Sequence, residues 1–440
     1  MKDLTKGKPY SVLLAFAIPL YISQLFSSIY GLVDTRVIGS ILGEKALASV
    51  GATTALSDLL LEFSNGVICG FGIIISRYYG AHNESGTHKA IGHTITLGVL
   101  VSLVISLVTL CFLSPILKLL HIDDALIGES SAYISVIIGG LIAASMYNIC
   151  TAVLRSVGDS FTPLIFLIVS NVANIGMDYL LVGAFHMGVQ GAAWATVITQ
   201  LTSAVLCFLY FWKKYPSLRI HRNCLKTEKA LSGEMIPSGM SMGFMLSFVL
   251  LGSLVLQTSI NALGQNIIVA HTSARKITIL LLLPFFALGT ALSTYCSQNL
   301  GAKLYLRITQ GINTSVLIAA AWWVLSLAFV WLVGDKMIML ITASQDLEIV
   351  TNAVQYLRIN SALFMLPALI CILRNSMQGF GDTRTPLISS IIEMVGKITI
   401  AFLLVPAIQY MGIIIAEPIV WSIMIIPLLF QWNKQRRTFV

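Results

Sequence analysis

The chain has 440 residues, of which 57% are hydrophobic and only 10% charged, with a mean hydropathy of +0.87. Soluble domains carry roughly a quarter charged residues, so this composition excludes a water-soluble enzyme or binding module and requires a membrane. The net charge of +8 would suit a polyanion, but its placement along the chain follows membrane topology and excludes a nucleic-acid footprint.

A membrane-spanning helix needs about 20 apolar residues, and such runs alternate here with short polar breaks. In chain order, spans are predicted over roughly 11–35, 47–76, 91–113, 132–154, 163–184, 191–212, 235–260, 267–296, 308–333, 353–374, 386–406 and 412–431. The runs are rich in Leu, Ile and Val and show no sustained period of two, which favours helices over a β-barrel. The opening Met1-Lys2-Asp3-Leu4-Thr5-Lys6 enters the first span without a small-residue cleavage site, so a retained first helix is expected.

Lys2, Lys6, Lys8, Arg77, Lys89, Arg155, Lys213, Lys214, Arg219, Arg222, Lys226, Lys229, Lys303, Arg307, Arg374, Arg384, Lys434, Arg436 and Arg437 all fall on one side of this topology. The opposite loops hold only Lys45, Lys118 and Lys336. The basic side is expected to be cytoplasmic, with an even number of spans and both termini inside the inner cell membrane. The polar stretch Lys213–Gly233 lies midway and reads as a cytoplasmic linker between two six-helix halves, divided near residues 222 and 223. The seven cysteines show no CxxC spacing and read as small apolar packing residues.

The halves repeat. Leu154-Arg155-Ser156-Val157-Gly158-Asp159-Ser160-Phe161-Thr162-Pro163 returns about half a chain later as Met377-Gln378-Gly379-Phe380-Gly381-Asp382-Thr383-Arg384-Thr385-Pro386. Ser76-Arg77-Tyr78-Tyr79-Gly80-Ala81 is echoed by Ser297-Gln298-Asn299-Leu300-Gly301-Ala302, and Ile18-Pro19 by Ile236-Pro237, at nearly the same interval. Each repeated loop is expected to end one helix on a left-handed glycine and cap the next with its Asp. An even number of intervening spans gives the halves the same membrane orientation, with a pseudo-twofold along the membrane normal; a duplicated, apolar chain of this kind points to transport.

Ionisable groups inside spans are the functional candidates, because burying one in hydrocarbon costs at least a few kcal/mol. Asp34 sits at the outer end of span one, where an ion pair with Arg36 would also explain it. Asp178 lies in span five, and Asn171, Asn174 and Asp178 at i, i+3 and i+7 share one helical face. Two carboxylates with nearby amide and hydroxyl oxygens can bind Na⁺ or hold a proton. Polar glue between helices is the plainer reading of Asn174 and Asp178. Glu393 and Lys397, i and i+4 on span eleven, form an expected structural pair. Arg275, Lys276, Glu62 and Arg358 have no partner legible in the sequence. Pro19, Pro237, Pro284 and Pro367 should kink their spans.

Gly379-Phe380-Gly381-Asp382 matches the GxGD of intramembrane aspartyl proteases, with Pro367-Ala368-Leu369 as a PAL. The order is reversed from what those proteases need, and the twin loop at Asp159 has the same framing. No HExxH, Walker A or nucleophile elbow occurs, so neither an enzyme nor an ATP-driven pump is expected, and no cofactor.

Taken together, several stretches resemble the multidrug and toxic compound extrusion (MATE) transporters. They are Val33-Asp34-Thr35, Arg77-Tyr78-Tyr79-Gly80-Ala81, both Gly-Asp…Thr-Pro loops, and Gly191-Ala192-Ala193-Trp194-Ala195-Thr196. The resemblance covers essentially the whole chain. It implies an all-α, polytopic, V-shaped bundle of two pseudo-symmetric six-helix lobes, and Na⁺- or H⁺-driven antiport of small organic, often cationic compounds by alternating access. Within the family the chain looks DinF-like. On that likeness the coupling-cation site is Asp34, Asn174, Asp178 and Thr196, and Pro19 is the hinge of the first helix. Tyr30, Asn148, Asn171, Gln200 and Glu393 are then candidates to line a substrate cavity. Spans seven and ten lack the acids that another branch carries, so no second-lobe cation site is expected. The fold needs no partner beyond membrane lipids and is expected to act as a monomer. The nearest rival reading is a lipid-linked precursor flippase of the same superfamily; a non-transporting scaffold or receptor would have little use for carboxylates at mid-membrane.

Overall fold

Inside a bilayer each backbone N–H and C=O must be satisfied within its own segment, which leaves the helix as the local solution for these apolar runs. The computed structural model describes residues 3–120, 122–219, 222–226, 228–342 and 346–439, and every regular element among them is helical. Lys2 and the Arg222 side chain, both counted among the basic residues, lie outside that description. The first half comprises α1 (Pro9–Gly80), α2 (Glu84–Cys111), α3 (Leu113–Leu119), α4 (Asp124–Gly139), α5 (Leu141–Ser156), α6 (Phe161–Asp178) and α7 (Gly188–Lys214). The second comprises α8 (Lys229–Asn261), α9 (Gln265–Gly301), α10 (Tyr305–Thr342), α11 (Leu347–Ala362), α12 (Met365–Phe380), α13 (Arg384–Leu403), α14 (Val405–Ile408) and α15 (Tyr410–Gln435).

Among the described residues nine helices are long and apolar enough to span, or eleven when α4 with α5 (bent by 40°) and α11 with α12 (52°) each count as one. The 72-residue α1 leaves helical geometry at Gly43 (φ 81°, ψ −176°), which divides it in two and completes the expected twelve. Helices α1, α8 and α9 continue through Pro19, Pro237 and Pro284. Pro367 falls in the first turn of α12, just past the 52° bend.

The repeat reaches the backbone. Left-handed or otherwise positive φ values occur at Gly43 and Gly264, His82 and Lys303, Gly158 and Gly381, and His186 and Gln409, each pair separated by nearly the interval of the repeated loops. At Gly158 the N–H bonds Arg155 O (3.0 Å) and the Asp159 N–H bonds Leu154 O (2.9 Å). At Gly381 the same pair of bonds runs to Gln378 O (3.1 Å) and from Asp382 N–H to Met377 O (2.9 Å). This is a Schellman closure, in which glycine takes the left-handed position without a Cβ penalty. The Asp then caps the next helix: Asp159 accepts from Thr162 N–H (3.0 Å) and Thr162 Oγ1 (2.8 Å), and Asp382 from Thr385 N–H (3.1 Å) and Thr385 Oγ1 (2.8 Å). Asp159 is the more buried of the two, and Tyr215 Oη (2.6 Å) and Lys214 Nζ (3.3 Å) also donate to it. Burial alone would raise its carboxyl, but Tyr215, Thr162 and Lys214 outweigh that and hold it below the usual aspartate range.

The chain forms two compact units: Met1–Asp3 with Ile22–Gly243, and Leu4–Tyr21 with Phe244–Val440. The division near residues 222 and 223 is thus exchanged at its edges, since the start of α1 belongs to the second unit and the start of α8 to the first. The two switch points, after Tyr21 and after Gly243, again stand at nearly the repeat interval.

Within the first unit the core gathers Val67, Phe71, Ile75, Ile91, Leu154, Val157 and Met235. Lipid offers little hydrophobic drive between helices, so close packing of small residues must hold them. Gly66 and Gly70 of α1 meet Gly239 and Gly243 of α8; a Cβ on Gly70 would lie 2.6 Å from Gly239 Cα, and one on Gly66 2.8 Å from Gly243 Cα. Buried hydroxyls add glue, with Ser102 Oγ donating to Ser145 (2.6 Å) and Ser64 2.9 Å from Ser145. The second unit packs around Phe16, Phe285, Leu292, Tyr295, Leu357 and Phe364. Its α10 turns Leu317, Leu325, Leu332 and Leu340 outward, as a lipid-facing helix should.

Substitutions at the glycine contact and at the Asp cap test this packing. Gly70→Leu should strip folded protein from the membrane, since overpacking a backbone contact costs about 1–3 kcal/mol or more. Gly51→Ala, where nothing lies within 4 Å of the added Cβ, should leave detergent-solubilised yield and Tm unchanged. Asp159→Ala should lower stability at neutral pH by about 1–3 kcal/mol. A carboxyl held low stabilises fully above the ordinary aspartate range and loses that contribution as pH falls through its lowered value. A Tm series on acidification should therefore fall less steeply for Asp159→Ala than for wild type.

Candidate functional site

Asp178 is the last residue of α6, and the chain continues through a π-helical segment, Tyr179–Ala184. Such wide turns often accompany functional sites because they shift the register of side chains. Asp178 is fully buried and Asn174, one turn earlier, nearly so, while Asn171 on the same face is half-buried with its Nδ2 unpartnered. The face on which their spacing puts them is graded in depth, with the Asp at its deepest point.

Asp34 reaches this face from α1, half-buried, and its carboxyl lies within hydrogen-bonding contact of the Asp178 carboxyl. Its neighbours are Tyr30, whose hydroxyl is 3.4 Å from Asp34 Oδ1, and Asp178, so the alternative ion pair with Arg36 is not how the structure holds it. The Tyr30 hydroxyl also contacts the Asn174 amide. That amide is best satisfied with its nitrogen toward Asp178 Oδ2 (3.0 Å) and its oxygen toward the Thr196 N–H (3.1 Å). The Thr196 and Thr199 hydroxyls of α7 stand 3.5 and 3.4 Å from that same oxygen end. Asp178 Oδ1 is buried and has no fixed donor. Two carboxyls in contact hydrogen-bond only when one carries a proton, and otherwise repel unless a cation sits with them.

All four proposed coupling residues, Asp34, Asn174, Asp178 and Thr196, thus converge within the first unit. Tyr30 joins them directly. Thr199 and Tyr133, whose phenol lies in the electrostatic field of both acids, are neighbours that the sequence reading missed. Thr199 was legible as the residue nearly one turn past Thr196; Tyr133 had no local signal. Asn148 and Gln200 are half-buried in the same unit. Among the described residues no group of three or more His, Cys, Asp or Glu could hold a metal ion, so a bound cation here would be coordinated by two carboxylates and neutral oxygens.

Glu393 lies in the second unit, buried, with Oε2 accepting from Arg374 Nη1 (3.1 Å) and Oε1 from Lys397 Nζ (2.9 Å). The predicted pair with Lys397 is present, but Arg374 makes it a triad. The charges without a legible partner also resolve. Arg275 pairs with Glu417, Arg358 with Asp335 (3.1 Å), and Glu62 accepts from Asn65 (3.3 Å), while Lys276 is exposed. Glu417 was missed altogether, although an acid in the apolar run 412–431 is itself a signal.

Comparison with known proteins bears on both halves. The MatE family model matches the chain twice, over residues 19–180 and 241–403, an offset that matches the repeated loops. A probable multidrug resistance protein of Bacillus subtilis, YoeA, is 25% identical over 98% of this chain and 96% of its own length. The multidrug export protein MepA of Staphylococcus aureus is 24% identical, covering 96% of this chain and 91% of its own. Among solved structures, an outward-facing multidrug resistance MATE family transporter superposes with a TM-score of 0.89 at 19% identity, covering 99% of this chain and 98% of that one. A MATE crystal structure in the bent conformation also gives 0.89 at 19% identity, over 100% and 99%. These structural likenesses concern the fold. Together with the twofold family match across well over half of its residues, they show that the chain belongs to the MatE family of multi-pass membrane transporters and is not an enzyme.

Proposed function

We propose that this protein is a secondary active multidrug exporter, coupling entry of Na⁺ or H⁺ to expulsion of small organic cations by alternating access. One observation carries the reading: Asp34 and Asp178 meet inside membrane spans with no cationic side chain among the described residues to balance them. A site of that kind is incomplete without a mobile cation. Either one proton is shared between the carboxyls, or Na⁺ is held by them with Thr196 Oγ1 and the Asn174 amide, which can turn its oxygen inward. The names of YoeA and MepA support a drug-export role, and an acidic site favours cationic cargo.

Coupling requires only that cation and cargo stabilise opposite conformations. Asp34 lies on α1, whose start belongs to the other unit, so a cation drawn between Asp34 and Asp178 acts on a helix shared by both units, with Pro19 the hinge. Each monovalent cation moved down 100 mV supplies about 2.3 kcal/mol, enough for a roughly 50-fold gradient of a neutral cargo; expelling a monovalent cation costs the same amount, so one-for-one exchange of cations draws on the Na⁺ or pH gradient alone. The charge bias of the loops supports an inner cell membrane location with both termini cytoplasmic, and the protein is read as a monomer among lipids.

Dye efflux from proteoliposomes, with Na⁺ and pH gradients imposed separately, tests this directly. One gradient should drive efflux of an organic cation, and Asp178→Asn should lower that rate at least about tenfold. Normal pumping by the variant, or no response to either gradient across a broad panel of cations, would sink the assignment. Glu393→Gln should behave differently. It leaves Arg374 and Lys397 buried with less compensation, a loss of about 3–5 kcal/mol, so folded yield should drop while surviving protein keeps its ion coupling. A well-folded Glu393→Gln protein that has lost coupling would place Glu393 in the transport machinery instead.

A further inference from the structure

The second unit contains a partly open cavity of about 60 Å³ whose polar lining is Ser253, Gln257, His271, Arg275, Tyr356 and Glu417. That is room for a few waters or one small charged group. The ionic balance around it does not close. Among the described residues Arg275, Arg374 and Lys397 stand against Glu417 and Glu393 alone, and Lys397 reaches the cavity wall by donating to Ser253 Oγ (3.0 Å). One positive charge is left over in the interior of spanning helices, where an unbalanced charge is expensive.

The donors that surround this surplus are also underused. Arg275 bonds Glu417 and the Tyr356 hydroxyl through Nη1 alone, so its Nε and Nη2 edge makes no hydrogen bond to the described residues. Its side chain is 32% exposed and lines the cavity. His271 is 6% exposed, and its Nδ1 has no partner. Its ring is fixed against Tyr356 (centroids 5.0 Å apart) and Tyr410 (6.1 Å), both edge-on. Arg374 Nη2 is likewise buried and unpartnered. Buried donors without acceptors are rare. At this cavity the unused edge of Arg275 and the unpartnered His271 Nδ1, a donor when that nitrogen carries the proton, stand together, and with the positive surplus they suit an anion.

We propose that this cavity is an anion subsite that takes a carboxylate group of a transported compound. The carboxylate lies side-on against the free Nε and Nη2 edge of Arg275, with His271 as the second donor. A guanidinium fork matches a carboxylate in two parallel hydrogen bonds. A single surplus charge suits a monoanion; a phosphate, nearer −2, would meet Glu417 and Glu393 uncompensated. The subsite rests on the export reading above and extends it to cargo that carries a carboxylate.

The test is binding of a zwitterionic carboxylate rhodamine and its methyl ester, a plain cation, to the full-length protein in nanodiscs by fluorescence polarisation. Wild type should bind the acid about tenfold or more tighter than the ester. Arg275→Gln should erase that preference by weakening binding of the acid, since the fork that pairs with the carboxylate is gone. Arg275→Lys, which keeps the charge without the fork, should restore part of it. Should Arg275→Gln fail to fold, His271→Phe keeps the ion pair and should weaken acid binding several-fold with the ester unchanged. Equal affinity of wild type for acid and ester, or equal loss of both dyes in the variants, overturns the subsite. Gradient-driven efflux of the ester reads the export function separately: an ester that is pumped with no gain for the acid sinks the subsite alone, whereas failure to bind either dye sinks both.

Discussion

A charge placed in hydrocarbon has to find a counter-charge or a reason to lack one, and that constraint organises this molecule more than any other. Backbone polar groups are settled by the helices themselves. Side chains are not, and each ionisable residue inside a span is therefore a local problem with a visible solution. Arg275 is matched by Glu417, Arg358 by Asp335, and Glu393 by two cations at once. Asp34 and Asp178 have no such solution among the described residues. Two carboxyls in contact repel unless one carries a proton or a cation sits with them. The imbalance is what makes the first unit a candidate for ion coupling, and the opposite imbalance is what singles out the cavity of the second.

The duplication explains why two such different sites share one backbone plan. The paired left-handed residues, the bent α4–α5 and α11–α12, and the switch points after Tyr21 and Gly243 all recur at nearly one interval. Backbone geometry has been kept where helix ends must be closed, since a Schellman turn tolerates few residues at its left-handed position. Even the non-glycine positions His82 and Lys303 keep it (φ 53° and 59°). Side chains inside the spans carried no such restriction. At the offset of the two Gly-Asp loops, the face holding Asn174 and Asp178 in α6 corresponds to Lys397 and Ala401 in α13. One ancestral scaffold thus presents Asp178 without a cationic partner among the described residues in one half and Lys397 paired with Glu393 in the other.

The sequence was most informative where a local rule decides the structure. Twelve spans, the Gly-Asp loops with their caps, and the shared face of Asn171, Asn174 and Asp178 needed only hydrophobic runs, turn chemistry and helical spacing. It was less informative wherever the partner sits far along the chain. Arg275 and Glu417 are 142 residues apart, and nothing local to either announces the other. Two bends have no local signal of this kind: α4 meets α5 at 40° and α11 meets α12 at 52°. Proline removes one hydrogen bond, but a helix held on several sides can absorb that loss, and α8 and α9 run on through theirs. The breaks fall at Gly43, beside Gly140 and beside Leu363, the last with Pro367 in the first turn of the helix that follows.

The exchanged segments bear on how a cation in one unit can act on the whole. A helix that belonged wholly to one unit would feel Asp34 only as part of that unit's interior. α1 instead begins in the second unit and carries Asp34 within the first, with Pro19 just before the change of allegiance after Tyr21. α8 repeats the arrangement, with Pro237 less than two turns before its switch after Gly243. A proline removes one rung of the helix ladder and so lowers the resistance to bending nearby. Placing that weak rung next to the switch leaves the rest of each helix stiff. In the coupling reading proposed above, occupancy of the Asp34–Asp178 site acts on α1, a helix that both units share.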